Sequence, residues 1–289
     1  MAPSINSHLP RFTKAANDDG GRTVRRSSAL LAFFLVLPLA LPTAAQTPKT
    51  TYEPSVGQAG KDVVWVPTPQ TLVDRMLEIA KVTPKDYLID LGSGDGRTVI
   101  TAARRGVKAH GIEYNPDMVE LARKNALEAG VTDRATFVKA DLFESDFSEA
   151  QVITMFLLPE INEKLAPKIL QLKPGTRIVS NTFKMGDWAA DETATVTDGC
   201  SSWCTALLWI VPAKVEGSWQ LGGEELKLTQ RFQTVSGTLG SAVISDARLS
   251  GSDISFTVNG GRYAGTVDGK TMKGAITGGP GGNWSATQK

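Results

Sequence analysis

One short stretch, residues 87–97, restricts the fold of this chain more than any other part of its sequence. An apolar run ends in Asp90. A helical pattern then begins after three alternating glycines, Gly92, Gly94 and Gly96. A buried strand, a tight glycine turn and a helix N-terminus in this order are typical of sites for nucleotide-like ligands at the edge of a parallel sheet. We therefore expect an α/β fold with a binding site at this turn.

The acids of the turn favour a cationic ligand that has no phosphate. The pattern D-x-G-x-G-x-G differs from the G-x-G-x-x-G of dinucleotide sites, and no G-K-[ST] follows, as a P-loop would require. Asp90 and Asp95 would repel phosphate and attract an ammonium or sulfonium group. S-adenosylmethionine carries both positive groups and no phosphate. The turn, including Ser93, therefore predicts an S-adenosylmethionine site.

Acids also follow the next two predicted strands. Glu113, with Tyr114 beside it, is expected to accept hydrogen bonds from the ribose hydroxyls. Asp141, with Leu142 beside it, is expected to meet the adenine amino group. Because the carboxyl ends of parallel strands meet at one edge of a sheet, we expect these acids and the glycine turn to share a pocket.

Alternating strand and helix patterns predict a mostly parallel sheet that is covered on both faces. Further strands are expected at 151–156, 177–181, 193–197 and 206–211. Thr68 precedes the first helix and has two interpretations. It caps a helix that starts at Pro69, or its hydroxyl lies near the methionine carboxylate of the cofactor.

Several segments together resemble a known family: residues 66–68, 90–97, 111–116, 141–143, 185–188 and 208–213. Over about residues 60 to 213 the chain resembles class I S-adenosylmethionine-dependent methyltransferases. In detail it resembles the family of the mitochondrial ATP synthase c-subunit lysine methyltransferase and its bacterial relatives. The resemblance implies a Rossmann-like sheet of seven strands, S-adenosylmethionine as cofactor, and methyl transfer with a protein lysine as the acceptor.

The acceptor side is less clearly marked than the cofactor side. Methyl transfer depends on alignment and on exclusion of water, and needs no strong general base. We take Glu160, after the fourth strand, and Asn181 and Trp188, after the fifth, as the candidate catalytic residues, with Phe183 as a further wall of the acceptor site. Glu160 can also be explained as an acid in the first turn of a helix, where the helix dipole stabilises it.

The composition argues against some functions and leaves others open. A formal net charge of +1 without a basic stripe gives no reason to expect a nucleic-acid partner. With two histidines in 289 residues, we expect no metal site. The acceptor is a protein or a small molecule or lipid. An exported, non-catalytic protein that binds S-adenosylmethionine or acts as a scaffold is the third hypothesis. The oligomeric state is not predicted.

The N-terminus has the features of an export signal. Arginines precede an apolar segment at residues 29–41, and small residues up to Ala45 follow. We predict that residues 1–45 form a signal peptide or a membrane anchor and that residues 46–60 form a linker. The protein is then exported to the periplasm or secreted, or it stays anchored in the inner membrane and associates with the membrane through this segment.

The composition changes after the predicted methyltransferase domain, residues 61–213. Residues 215–289 are rich in glycine and alternate between polar and apolar residues, which predicts a small antiparallel β-domain, a barrel or sandwich of six or seven strands. Between the last two strands of the first domain, Cys200 and Cys204 form either a disulfide across a turn or two free thiols.

Overall fold

A computed structural model describes residues 52–289 of the protein. The predicted signal peptide or anchor, residues 1–45, lies outside the described residues. Within residues 52–289, no helix combines the length and apolar character needed to cross a membrane.

Helices and strands alternate through the first part of this range and build one sheet. The elements are α1 Gln70–Ile79, β1 Tyr87–Leu91, α2 Arg97–Arg104, β2 Lys108–Glu113, α3 Pro116–Glu128, β3 Ala135–Lys139, β4 Val152–Met155, α4 Pro159–Ile169, β5 Arg177–Asn181, β6 Glu192–Thr195 and β7 Thr205–Ile210. The strand order is β3-β2-β1-β4-β5-β7-β6, in which β7 runs antiparallel to its two neighbours and the other pairs are parallel. The predicted Rossmann-like sheet of seven strands is confirmed.

Successive residues of each strand point to opposite faces, so that the sheet has two apolar cores. Leu88 packs with helices α1, α2 and α3 on one face, whereas the next residue, Ile89, packs with α4 on the other. Both side chains are buried, and burial of each contributes roughly 1.5–3 kcal/mol. The strand order reverses between β1 and β4, and ligands of open α/β sheets bind outside the carboxyl ends of the strands at such a point.

Helices α3 and α1 begin differently, although each has a polar residue followed by proline near its start. Asn115 caps α3, because its side-chain oxygen accepts a hydrogen bond from the backbone N–H of Asp117 at 2.9 Å, and Pro116 occupies the first turn. At α1 the capping position is Pro69, and no side chain caps the helix. The interpretation of Thr68 as a cap is therefore wrong. Its hydroxyl instead accepts a hydrogen bond from Nδ2 of Asn181 at 3.3 Å.

The second sheet is entirely antiparallel and nearly closed. Its strands are β8 Gly217–Leu221, β9 Glu224–Arg231, β10 Thr234–Leu239, β11 Ala242–Val243, β12 Ser245–Ser250, β13 Asp253–Val258, β14 Gly261–Asp268, β15 Thr271–Gly278 and β16 Gly282–Gln288. The predicted β-domain is confirmed, with nine strands in place of six or seven. Strands as short as β11 show no alternation in the sequence. Trp219, Phe256 and Trp284 fill the interior.

An aromatic contact joins the two sheets. Trp188 is 1% exposed, and its ring stacks on Phe232, from the turn between β9 and β10, with centroids 5.8 Å apart. Its other neighbour is Trp209 of β7, whose Nε1 donates a hydrogen bond to the carbonyl of Trp188 at 2.8 Å. Trp188 therefore belongs to the packing between the sheets. Its placement in the acceptor site was wrong, because the sequence does not reveal this tertiary partner.

Candidate cofactor and acceptor site

A deep cavity lies at the carboxyl ends of the parallel strands, where the strand order reverses. Most residues predicted for the cofactor line this cavity: Thr68, Asp90, Gly92, Ser93, Gly94, Asp95, Glu113, Tyr114, Asp141 and Leu142. The topology therefore brings three separate strand ends together as expected. That these residues bind the cofactor stays a prediction.

Gly96 is the exception among the predicted cofactor residues. It does not line the cavity but precedes α2 as its capping residue, with φ of +83°. A Cβ atom there would lie 2.7 Å from Cζ of Phe137 on β3. Gly96 is needed for the turn conformation and for close packing of helix on sheet.

Asp90 is the acid most affected by its surroundings. The carboxylate is buried at the end of β1 and accepts a hydrogen bond from the Thr154 hydroxyl at 2.6 Å. Burial raises the pKa of Asp90 to about 7, although the hydrogen bond from Thr154 acts in the opposite direction. A cationic group bound nearby would favour the ionised form, so that Asp90 suits the ammonium end of the ligand.

The other acids of the cavity already have partners. Asp95 is paired with Arg97, whose Nε donates hydrogen bonds to both carboxylate oxygens at 3.0 and 3.1 Å. Asp95 is therefore neutralised locally and attracts a cation less than its position in the turn indicates. Glu113 accepts one backbone hydrogen bond on each oxygen, from Gly94 and Asn115, both at 2.9 Å. Each oxygen keeps a lone pair for a hydroxyl.

The glycine turn is closely packed and carries one unpaired polar group. A Cβ on Gly94 would meet Nε1 of Trp65 at 2.7 Å, and one on Gly92 would meet Leu157 at 3.0 Å, so the loop has no room for side chains at either position. The hydroxyl of Ser93, in the same loop, is buried without a hydrogen-bond partner. An unpaired buried hydroxyl beside the cavity is available to a polar ligand.

A flap, defined here as residues 57–66, covers the cavity and was missed by the sequence reasoning. It folds back on itself through the hydrogen bond from the Gly57 N–H to the carbonyl of Trp65 at 2.8 Å. From it, Lys61 reaches the Asp141 carboxylate and the face of Tyr114. Residues 58–60, which we predicted to belong to a linker, line the cavity. The segment lacks any periodic pattern, so the sequence gives no signal for this role.

A second cleft opens beside the cofactor cavity and shares flap residues with it. Its inner wall is Phe156 and Leu157, which also line the cofactor cavity, and its outer wall is Phe183 and Trp203. Phe156 stacks on Phe183 with centroids 5.9 Å apart and meets Trp203 at 6.0 Å. Phe183 was predicted here. Trp203 was missed, although a tryptophan within a turn of small residues was a usable signal.

The three candidate catalytic residues lie outside both the cavity and the cleft. Trp188 is packed between the sheets, as described above. Glu160 is exposed in the first turn of α4, which agrees with its interpretation as a helix-stabilising acid. Asn181 is completely buried and reaches the cofactor cavity only through its hydrogen bond to Thr68.

The fold and this site define a class I methyltransferase that uses S-adenosylmethionine as its methyl donor. The sequence profile of the ANTKMT methyltransferase domain matches residues 90–192. A protein-lysine N-methyltransferase of Saccharolobus islandicus is 51% identical over 140 residues, which cover 47% of this chain and 87% of that protein. The chain belongs to the family of these methyltransferases.

Two further comparisons extend this picture. The ATP synthase c-subunit lysine N-methyltransferase of Mus musculus is 38% identical over 107 residues, 37% of this chain and 43% of that protein. A crystal structure named as an RNA methyltransferase, from Salinibacter ruber, in complex with S-adenosyl-L-homocysteine, is 52% identical. It covers 52% of this chain and 96% of that chain, with a TM-score of 0.49. The match thus spans less than half of the mouse enzyme.

Proposed function

We propose that this protein is a protein-lysine N-methyltransferase. The observation that carries the proposal is the apolar cleft of Phe156, Phe183 and Trp203, which opens directly onto the cofactor cavity. An apolar cleft of this kind would accept the methylene chain of a lysine, and the bound chain would displace water from the reacting atoms. The 51% identity to a protein-lysine N-methyltransferase supports the same acceptor.

The cofactor would be held by the residues that line its cavity. Asp90 would attract the ammonium group, and Glu113 would accept hydrogen bonds from the ribose hydroxyls. Asp141 would accept a hydrogen bond from the adenine amino group, and would release or share its bond to Lys61 to do so. S-adenosylmethionine, when bound, supplies a methyl group on a sulfonium sulfur: the lone pair of the acceptor forms the new bond to carbon, while the electrons of the carbon–sulfur bond stay with sulfur.

The cleft can prepare a lysine for this reaction without a general base. The amine has to be uncharged at the moment of transfer, so an ammonium group held by the ring faces must give up its proton before the methyl group moves. Positive charge then develops on the nitrogen during transfer. The faces of Phe156 and Trp203 would stabilise that charge through the negative face of each ring. The proton that the amine loses goes to solvent at the open end of the cleft.

The function is tested with labelled S-adenosylmethionine, purified mature protein and three acceptor pools: envelope proteins, extracted lipids with small molecules, and total RNA. We expect label in protein, at lysine by mass spectrometry of the digested product. Label in lipid or RNA alone would contradict the proposal. Cofactor binding measured by calorimetry without turnover on any pool would instead favour a non-catalytic protein.

We also propose that the protein is exported to the periplasm or secreted. The predicted signal peptide supports this location, as does the disulfide between Cys200 and Cys204, because such bonds persist mainly in oxidising compartments. Cell fractionation combined with N-terminal sequencing tests it. Export predicts a mature N-terminus directly after Ala45. A full-length chain in the membrane fraction would show the alternative, an inner-membrane anchor, and a full-length soluble chain would contradict both.

A further inference from the structure

Trp203 lies in a short covalent ring at the edge of the acceptor cleft. Cys200 and Cys204 are joined by a disulfide, with Cα atoms 5.8 Å apart, and Trp203 stands between them. Its side chain is 44% exposed, although a large aromatic side chain gains by burial. The indole of Trp203 nevertheless faces Phe156 across the cleft. The disulfide-closed loop thus holds an exposed aromatic side chain next to the proposed reaction site.

The backbone of Trp203 shows that this position is enforced. Its φ is +54°, in the left-handed region, where bulky residues are rare. Thr182, which precedes Phe183 at the end of β5, also has a positive φ of +60°. Strained residues that cluster at one cleft persist only where the surrounding structure forces them, and such clusters are characteristic of functional sites.

Contacts at both ends fix the loop that carries the ring. At its base, the Val196 N–H donates to the carbonyl of Cys204 at 2.9 Å, and the Thr182 N–H donates to the carbonyl of Thr205 at 2.7 Å. At its outer end, the Thr71 hydroxyl donates to the carbonyl of Gly199 at 3.5 Å. The disulfide joins the two ends of the segment between these contacts, residues 200–204. Without this bond, residues 201–203 have few contacts that would keep the indole at the cleft.

The chemistry of the cleft indicates what the indole would contact. Its walls are aromatic and aliphatic, and its charged residues, Lys61 and Asp62, both belong to the flap. Asp62 is the only acid among the described residues that line the cleft, and it belongs to the flap and not to the aromatic wall. The wall presents three ring faces to an alkylammonium group, and an indole is the best side chain for this contact.

We propose that Trp203, Phe156 and Phe183 form an aromatic clamp for the alkylammonium end of the acceptor, and that the Cys200–Cys204 disulfide holds Trp203 in this clamp. The inference rests on the proposed lysine acceptor and assigns the residue that determines acceptor affinity. It also makes acceptor affinity dependent on oxidation of the cysteines. Trp203 does not line the cofactor cavity, so replacement of Trp203 should leave cofactor affinity unchanged.

The test measures binding separately from turnover. The probe is Nα-acetyl-Nε-trimethyllysine amide, titrated by calorimetry into the mature protein saturated with S-adenosylhomocysteine. Its neutral isostere, with carbon in place of the quaternary nitrogen, is the chemical control. We expect the charged probe to bind at least about fivefold more tightly than the isostere. Equal affinity of the two would contradict the clamp.

Variants then identify the residue and the role of the disulfide. Trp203→Ala should weaken probe binding about fivefold or more, and Trp203→Phe should restore most of it, with S-adenosylhomocysteine affinity unchanged in both. Leu127→Ala, at an exposed position on α3, is the matched control and should change nothing. Mild reduction of the disulfide should weaken probe binding in the wild type but not in Trp203→Ala.

The outcomes separate this inference from the proposed function. Labelling of lysine by the wild type, together with unchanged probe affinity in Trp203→Ala, would overturn the clamp and leave the function intact. The clamp would also be overturned if reduction weakened probe binding equally in both backgrounds, because the disulfide would then act through another group. Absence of lysine labelling on every protein pool would count against the function, whatever the probe shows.

Discussion

Lys61 and Asp141 form an ion pair across the mouth of the cofactor cavity, with the Lys61 ammonium 2.5 Å from the carboxylate. The two residues are 80 positions apart in the chain, one on the flap and one after β3. The Lys61 hydrogen bond lowers the pKa of Asp141, and the backbone N–H of Phe143 adds to this effect. The ammonium also lies 4.8 Å from the centroid of the Tyr114 ring. Lys61 therefore connects the flap to the residues that follow β3 and β2.

Replacement of Lys61 by alanine should loosen the flap and speed cofactor release. Exposed ion pairs are weak, so we expect the dissociation rate of S-adenosylmethionine to rise only about two- to fivefold. Stopped-flow displacement at low and at high salt measures the effect. The difference between wild type and Lys61→Ala should shrink at high salt. Slower release in the variant would instead mean that Lys61 competes with the adenine for Asp141.

Gly94 should tolerate no side chain, because its Cβ would lie 2.7 Å from the Trp65 indole. Gly94→Ala should therefore displace the flap and weaken S-adenosylmethionine binding about tenfold, which corresponds to ~1.4 kcal/mol. Gly222→Ala is the matched control: its φ of +57° is close to the +53° of Gly94, but open space surrounds it. Both variants carry the same backbone strain. Equal cofactor affinity in the two proteins would contradict the contact with Trp65.

Asp90 should make cofactor binding dependent on pH. Its pKa of about 7 means that the carboxyl is largely protonated at pH 6 and ionised at pH 8. If the ionised form attracts the cofactor ammonium, the dissociation constant should rise about tenfold from pH 8 to pH 6. Calorimetry over this range measures the effect. In Asp90→Asn binding should be weaker and almost flat with pH, and an equally steep profile in that variant would exclude Asp90 as the titrating group.

The same buried acid should lower the stability of the cofactor-free protein. Because its pKa is raised from 3.8 to about 7 on folding, the folded state retains a proton that the unfolded state loses. The Asp90 contribution to stability is therefore most favourable below about pH 4, falls as the pH rises to about 7, and stays constant above that. Asp90→Asn keeps the acceptor oxygen for Thr154 and should gain up to about 4 kcal/mol at pH 8. Urea denaturation at pH 8 and pH 4.5 measures the difference, which should fall to roughly a quarter at the lower pH.

The cofactor side of the site was readable in the sequence because local pattern and topology determine it together. Asp90, Glu113 and Asp141 each follow an apolar strand, and a parallel sheet places such ends at one edge. The glycine turn adds a second signal, because its three alternating glycines all have positive φ, a conformation that other residues rarely adopt. Local pattern and sheet topology were therefore sufficient to predict that these positions line one cavity, while their binding of the cofactor stays a prediction.

The acceptor side depends on contacts that no local pattern encodes. Lys61 and Trp65 belong to an irregular segment whose role is defined only by what it covers. Trp203 reaches the cleft because β6 and β7 return to the edge of the sheet and a disulfide closes the loop between them. Trp188 was misplaced for the opposite reason, since its partner Phe232 comes from the other sheet.

Trp188 should prove important for stability and unimportant for the acceptor. Its ring packs between Trp209 and Phe232 with 1% exposure, so Trp188→Ala should cost about 3–5 kcal/mol by loss of burial and creation of a cavity. Its Nε1 is buried without a partner, so Trp188→Phe removes an unpaired donor and should cost much less. Chemical denaturation measures both variants. In the folded Trp188→Phe protein, the KM for the protein acceptor identified by labelling should equal the wild-type KM. Trp203→Ala, by contrast, should raise this KM. A raised KM in Trp188→Phe would return this tryptophan to the acceptor site.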